Sequence, residues 1–238
     1  AALHELETAT LTVMSLRGRG GVLSLMTTPT FGAKWLIPRL PRFQKASPDI
    51  FLNFMPFTRS SEAQQPSLDC AIKYGEGVWP GEVAHFIAGR EFVVIVPPGL
   101  TGDLRVRTMS DIGKHVLLQH PVEPTAWVKW CEANGVQHPN PMGGPRLDQV
   151  SSIVRAVIAG LGIALVPKCL VEDDIENGLV ICPFTEPLVL DGAYYLTYAE
   201  PKRNMPSLTT FRDWILSEVK PPAPHTNPKT RRRKRIGH

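Results

Sequence analysis

The sequence predicts an α/β protein folded as two lobes around a cleft, and three observations carry that prediction. Extended apolar runs alternate with helix-period segments along most of the 238 residues. Strand–helix–strand units occur twice, first from Val22 and again in the regions of Val116 and Leu147. The chain leaves the first half near Val96 and returns through Ala193 to Ala199. Two extended crossings join the halves, and closure over a small ligand follows from that geometry.

The elements follow in order. Ala1 to Leu16 has a narrow apolar stripe (Leu3, Leu6, Val13), the end of a longer helix, and Arg17 to Gly21 form a flexible joint. Val22 to Met26 is a strand that breaks at Thr27-Thr28-Pro29-Thr30. Phe31, Trp35, Leu36, Leu40 and Phe43 then recur at helical spacing, and Ile50 to Phe54 is extended again. The break has the composition of a helix start: a Thr able to cap, a Pro for the first turn, and N–H groups with no upstream carbonyl. Such an end favours anions, so Thr28 to Thr30 are expected to form one wall of the cleft.

Leu68 to Gly75 reads as a strand, and Val83 to Pro97 contains the β-branched run Phe92 to Val96, ended by Pro97-Pro98-Gly99. Ser110 to Gly113 reads as a helical turn, Val116 to Gln119 as a strand, and Thr125 to Ala133 as a short amphipathic helix. Asp148 sits where a cap belongs, before the helical spacing of Val150, Ile153, Val154, Val157, Ile158 and Leu161. Gly160-Leu161-Gly162 lies after that helix, so it reads as tight punctuation before the strand Ile163 to Val166, not as a dinucleotide loop. Pro167 starts another helix, whose Asp173 and Asp174 read as a solvated acidic face. Leu179 to Cys182 and Ala193 to Tyr198 are strands, and Ser207 to Val219 is the last helix.

Bulk properties narrow the function. At 43% hydrophobic the chain can bury a substantial core. It has neither a membrane-length apolar run nor a basic-then-apolar leader, so a cytoplasmic, non-membrane protein is expected. Cys70, Cys131, Cys169 and Cys182 are scattered and read as small apolar packing residues, with no metal-ligand spacing. Seven of the 26 Lys and Arg lie beyond residue 219 and none of the 22 acids does, so residues 1–219 carry 19 bases against 22 acids. The tail 220–238 is therefore a basic, proline-rich segment expected to be disordered, beside a mildly acidic body. The GxSxG, HExxH, P-loop and EF-hand patterns are all missing. His120, at a strand's C-terminal end, reads as a polar lining group.

The blocks TTPTFGAKWLIPRLPRFQKASPDIFLNF, LDCAIKYGEGVWPG and RLDQVSSIVRAVIAGLGIALVPKCLVEDDIENGLVICPF, in this order and spacing, resemble the effector-binding domain of LysR-type transcriptional regulators, especially the glycine-cleavage and β-lactamase group. The resemblance runs from about Leu3 to Val219. It implies a type 2 periplasmic-binding-protein-like fold, with residues 1–16 ending a linker helix and 17–219 forming the effector-binding domain. Lobe I would be about 20–96 and 200–219, and lobe II about 97–199. It further implies a small-molecule effector in the interlobe cleft, homodimers or homotetramers, and promoter DNA bound through a helix-turn-helix domain that does not precede Ala1 in this sequence. A dimer through exposed faces of the first lobe's helix and strands is expected, with no cofactor, metal or catalytic role. By the same resemblance the pocket positions are Thr28, Pro29, Thr30, Phe57, Thr58, Tyr74, His120, Leu147, Asp148 and Gln149. The residues alone also select Thr28 to Thr30 and Asp148, as helix starts facing a cleft. Asp148 would repel an effector carboxylate unless it only caps its helix, and Lys73 or Arg146 would then supply counter-charge. The effector class is left as an amino acid or small carboxylate. The competing reading is a transporter's solute-binding protein, against which the missing leader and the linker stump both argue.

Overall fold

The structure, a computed structural model, describes residues 21–57 and 67–219. The expected linker end, the joint up to residue 20, Thr58 and the basic tail lie outside the described residues. Strand β1 (Val22–Thr27) leads into a helical segment, residues 29–46 (α1), and then β2 (Phe51–Phe54). There follow β3 (Cys70–Gly75), β4 (Glu82–Ala88), β5 (Glu91–Ile95), β6 (Leu117–Leu118) and α2 (Ala126–Asn134). The chain continues through α3 (Val150–Ile158), β7 (Ile163–Pro167), α4 (Glu172–Glu176), β8 (Leu188–Val189), β9 (Ala193–Ala199) and α5 (Pro206–Ser217).

Two sheets form, one per lobe. The first has the order β2-β1-β3-β9-β4 and the second β6-β7-β5-β8. β1 runs parallel to β2 and β3, with Leu25 beside Cys70, whereas β9 is antiparallel to both β3 and β4. In the second sheet β6 and β7 are parallel, and β5 is antiparallel to β7 and β8. Leu23 to Met26 are buried consecutively, the signature of a central strand covered on both faces.

The expected extended piece from Val83 to Pro97 is two strands in different sheets. β4 ends in the first sheet at Ala88, and β5 starts in the second at Glu91. Gly89, at φ +101°, takes the left-handed turn between them. The chain therefore crosses before the β-branched run, not after it, and β9 belongs to the first sheet. The expected lobe limits shift accordingly, giving 91–96 to lobe II and 193–199 to lobe I. Gly89-Arg90 marks a turn in the sequence, but the half-buried β4 and the buried β5 find their partners in different sheets only through distant strands. Leu179 to Cys182 forms a single bridge, Ile181 with Val96, and no longer strand.

α1 is irregular for a local reason. An α-turn (Pro29–Phe31) passes into a π-helical stretch (Gly32–Leu36), a 3-10 turn (Ile37–Arg39) and an α-helix (Leu40–Ala46). Pro38 and Pro41 bring no N–H to the ladder. Arg39 braces the irregular stretch: its guanidinium stacks 4.3 Å from the Trp35 ring centre and donates to the Trp35 carbonyl at 2.7 Å. Beyond it, Phe43 packs edge-on against Phe211 of α5 at 5.4 Å and against Trp214 at 4.9 Å. Lobe II has its own aromatic centre, in which Trp127 contacts Trp130 at 5.8 Å and donates Nε1–H to the Leu118 carbonyl at 3.0 Å.

The punctuation after α3 is as expected. The helix ends at Ile158, Gly160 is left-handed at φ +77°, and a Cβ on Gly162 would fall 2.4 Å from the Val116 carbonyl oxygen. Only glycine lets β7 lie that close to the segment leading into β6. None of the four cysteines forms a disulfide. Among the described residues no helix is long and apolar enough to cross a membrane, and no group of three or more His, Cys, Asp and Glu is placed to hold a metal ion.

Candidate functional site

Residues at or just past the C-terminal ends of β1, β2, β3, β6 and β7 line one interlobe cavity of about 680 Å³. Open α/β sheets present ligand sites there, because the strand ends leave a crevice that helices do not cover. From lobe I come Thr28, Pro29, Thr30, Phe57, Lys73, Tyr74, Trp79 and Tyr194. From lobe II come Phe92, His120, Val122, Glu123, Asp148, Gln149, Val150 and the end of β7.

Eight of the positions named from sequence meet in this cavity: Thr28, Pro29, Thr30, Phe57, Tyr74, His120, Asp148 and Gln149. Leu147 packs against the buried core and does not line it. Lys73 lines the cavity, but both Glu82 carboxylate oxygens already hold its ammonium, at 2.9 and 3.0 Å. Arg146 is not among the lining residues. Tyr194, Trp79 and Glu123 were not anticipated. Tyr194 lies near the start of β9, in the first sheet beside Tyr74. Glu123 lies three residues past His120, beyond the same strand end.

Capping differs from expectation at both helix starts. Thr28 occupies the N-cap of α1, but its hydroxyl makes no cap bond and is buried without a partner among the described residues. At α3 the N-cap is Gln149, not Asp148, and no side chain of its own lobe caps it. The orphan Ser151 N–H is satisfied instead from the opposite lobe: it donates to Thr30 Oγ1 at 3.3 Å, and the Thr30 hydroxyl donates to Ser151 Oγ at 3.2 Å. One threonine on lobe I thus does for α3 what a local cap normally does. It ties the two walls of the cavity together.

Two further bonds cross between the lobes. The Tyr74 hydroxyl donates to Glu123 Oε1 at 2.8 Å. Lys34, on the π-helical stretch, reaches both oxygens of Asp174 on α4 at 2.8 and 2.9 Å. Asp174 is only 5% exposed, which corrects the solvated acidic face expected for it; Asp173 beside it is exposed. Sequence adjacency placed the two on different sides of the helix, and the inward one found a cation on the other lobe.

Gly192 fixes the Tyr74–Glu123 contact. A Cβ there would fall 2.5 Å from Glu123 Oε1 and 2.6 Å from the Tyr74 hydroxyl. Gly192→Ala is expected to break this bond and lower stability by about 1–3 kcal/mol. A denaturation midpoint equal to that of the parent protein would contradict it.

Burial, and after it the charge of Glu123, raise the Tyr74 pKa far above the usual phenol range, and burial does the same for Tyr194. Above about pH 10, where a free phenol ionises, the unfolded chain loses protons that the folded chain keeps. Stability is therefore expected to fall as pH rises through that window. Tyr74→Phe should flatten the fall, and a denaturation series showing the same slope in both proteins would count against the assignment.

Known proteins share this fold. A family profile described as the LysR substrate binding domain matches residues 16–220. The glycine cleavage system transcriptional activator of Escherichia coli strain K12 is 32% identical over 207 residues, covering 87% of this chain and 68% of that protein. The transcriptional activator AmpR of Rhodobacter capsulatus is 32% identical over 197 residues, covering 83% and 66% respectively. Among solved structures, the effector domain of AmpR from Pseudomonas aeruginosa aligns with a TM-score of 0.74 at 26% identity, over 83% of this chain and 95% of that one. The AmpR effector-binding domain of Citrobacter freundii has the same fold, with a TM-score of 0.75 at 24% identity over 83% and 98% of the two chains.

Proposed function

Since the chain belongs to the LysR substrate-binding-domain family, we propose that the interlobe cavity is where it senses a small-molecule effector and so regulates transcription. The observation that carries this reading is the Thr30–Ser151 pair, a polar link between opposite cavity walls that a ligand can strengthen or displace. A molecule with different affinities for two lobe arrangements shifts their populations, and promoter binding, carried by a helix-turn-helix domain, responds to that shift. The chain acts by binding, as a cytoplasmic homodimer or homotetramer. Its effector is an amino acid or small carboxylate held by Thr28, Pro29, Thr30, Phe57, Tyr74, His120, Asp148 and Gln149. The comparisons lend the transporter reading no support, because the relatives they bring forward are transcriptional activators.

A thermal-shift screen of amino acids and small carboxylates tests this, since a ligand that binds only the folded state raises the melting temperature. A hit whose shift disappears in Thr30→Ala is the expected result. A hit whose shift survives in Thr30→Ala places binding elsewhere.

A further inference from the structure

We propose that the Lys34–Asp174 ion pair is an interlobe latch, outside the effector cavity, that holds the two lobes in the arrangement described here. Neither residue lines the cavity. The crevice beside the pair, bordered by Lys34, Arg39, Cys169, Glu172 and Asp173, has a volume of about 50 Å³, room for about one or two waters. Nothing of effector size enters there, so the pair joins lobe to lobe and not protein to ligand.

Each half of the pair is set by its own lobe. Lys34 follows Thr30 by four residues, so α1 meets lobe II twice: Thr30 reaches Ser151 on α3 at the cavity wall, and Lys34 reaches both oxygens of Asp174 on α4 outside it. The segment around Lys34 is stiffened by the Trp35 ring, which stacks on Phe31 at 5.0 Å and is covered by the Arg39 guanidinium at 4.3 Å. Asp174 is pinned within lobe II: its carbonyl accepts from the Leu179 N–H at 2.9 Å, and Leu170, Val171 and Val180 around it in sequence belong to the buried core. The Asp174 side chain is 7% exposed and that of Lys34 is 31% exposed. Loss of the two partners is therefore unequal in effect. Without the lysine a desolvated carboxylate is stranded for as long as the lobes stay together, whereas separating them lets water reach it. That couples the lobe arrangement to Lys34.

The test needs no effector, so its result stands apart from the effector reading. The Ser151 amide reports on the seam from a second place, because Thr30 on the other lobe accepts its hydrogen bond. Its hydrogen exchange is followed by NMR in the parent protein, in Lys34→Met, in Lys34→Arg, and in Lys34→Met combined with Asp174→Asn. Amides of β1 and β7 serve as the reference for folding of each lobe. The expected result is exchange at Ser151 about tenfold faster in Lys34→Met, with β1 and β7 unchanged. Lys34→Arg, which keeps the charge, restores the parent rate, and the double variant, which buries no charge, lies closer to the parent than Lys34→Met does. An unchanged Ser151 rate in Lys34→Met overturns the proposal. So does an equal acceleration at β1 and β7, which would make the pair a support of folding as a whole, and so does a double variant at least as fast as Lys34→Met. Should Lys34→Met fail to fold, Lys34→Gln, which can still donate a hydrogen bond to Asp174, carries the same comparison, and a Ser151 rate equal to the parent's overturns the proposal there as well.

Discussion

Phe31→Ala is expected to cost about 3–5 kcal/mol of folding stability, the largest effect of any single change described for this protein. The Phe31 ring is fully buried, stacks with Trp35 at 5.0 Å and meets Tyr194 at 4.4 Å. Its removal opens a void behind the cavity wall, where α1 and β9 are both anchored and neither can collapse inward easily. Against a domain stability of about 5–15 kcal/mol, that loss moves the chain close to its unfolding threshold. Urea denaturation measures it directly. A midpoint shift equivalent to less than about 1 kcal/mol would mean that the site relaxes and that Tyr194 is not positioned by this ring.

Thr30→Val has the second large effect, and it acts on lobe arrangement more than on folding. Valine keeps the shape but removes the hydroxyl that both accepts from Ser151 N–H and donates to Ser151 Oγ. In the arrangement described here those two half-buried groups would lose their partner, while a more open one lets water reach them. The difference is about 1–3 kcal/mol, so the closed arrangement loses roughly 5- to 150-fold in population relative to the open one. Effector affinity should fall by a similar factor. Calorimetry with a hit from the thermal-shift screen reads it, and an unchanged dissociation constant would show that the interlobe link is incidental to binding.

Much of the architecture was legible because its signals are local. The period change from Val22 to Phe54, the Pro-bearing helix start and the glycines around Leu161 each specify backbone geometry within a few residues. The first cavity wall followed directly from them. What was hidden is what depends on pairing across the chain. The break at Gly89-Arg90 is marked in the sequence, but nothing local says that the strands on either side of it pair in separate sheets. Asp174 looked solvated until Lys34 was placed opposite it from 140 residues away. Asp148 looked like a cap because local rules favour a carboxylate there, and nothing near α3 in sequence reveals that Thr30 does the capping. Tyr194 and Glu123 enter the site for the same reason: one lies on β9 of the first sheet, the other on a turn past β6 in the other lobe, and only the folded chain brings them together.

Hydrogen exchange with and without a compound that raises the melting temperature tests the central claim most directly. The cavity reading predicts added protection at amides 28–32 and 149–153 together, on opposite lobes, while α5 behind the first sheet is unchanged. Protection confined to one lobe, or appearing on α5 and not at these two helix starts, would contradict it.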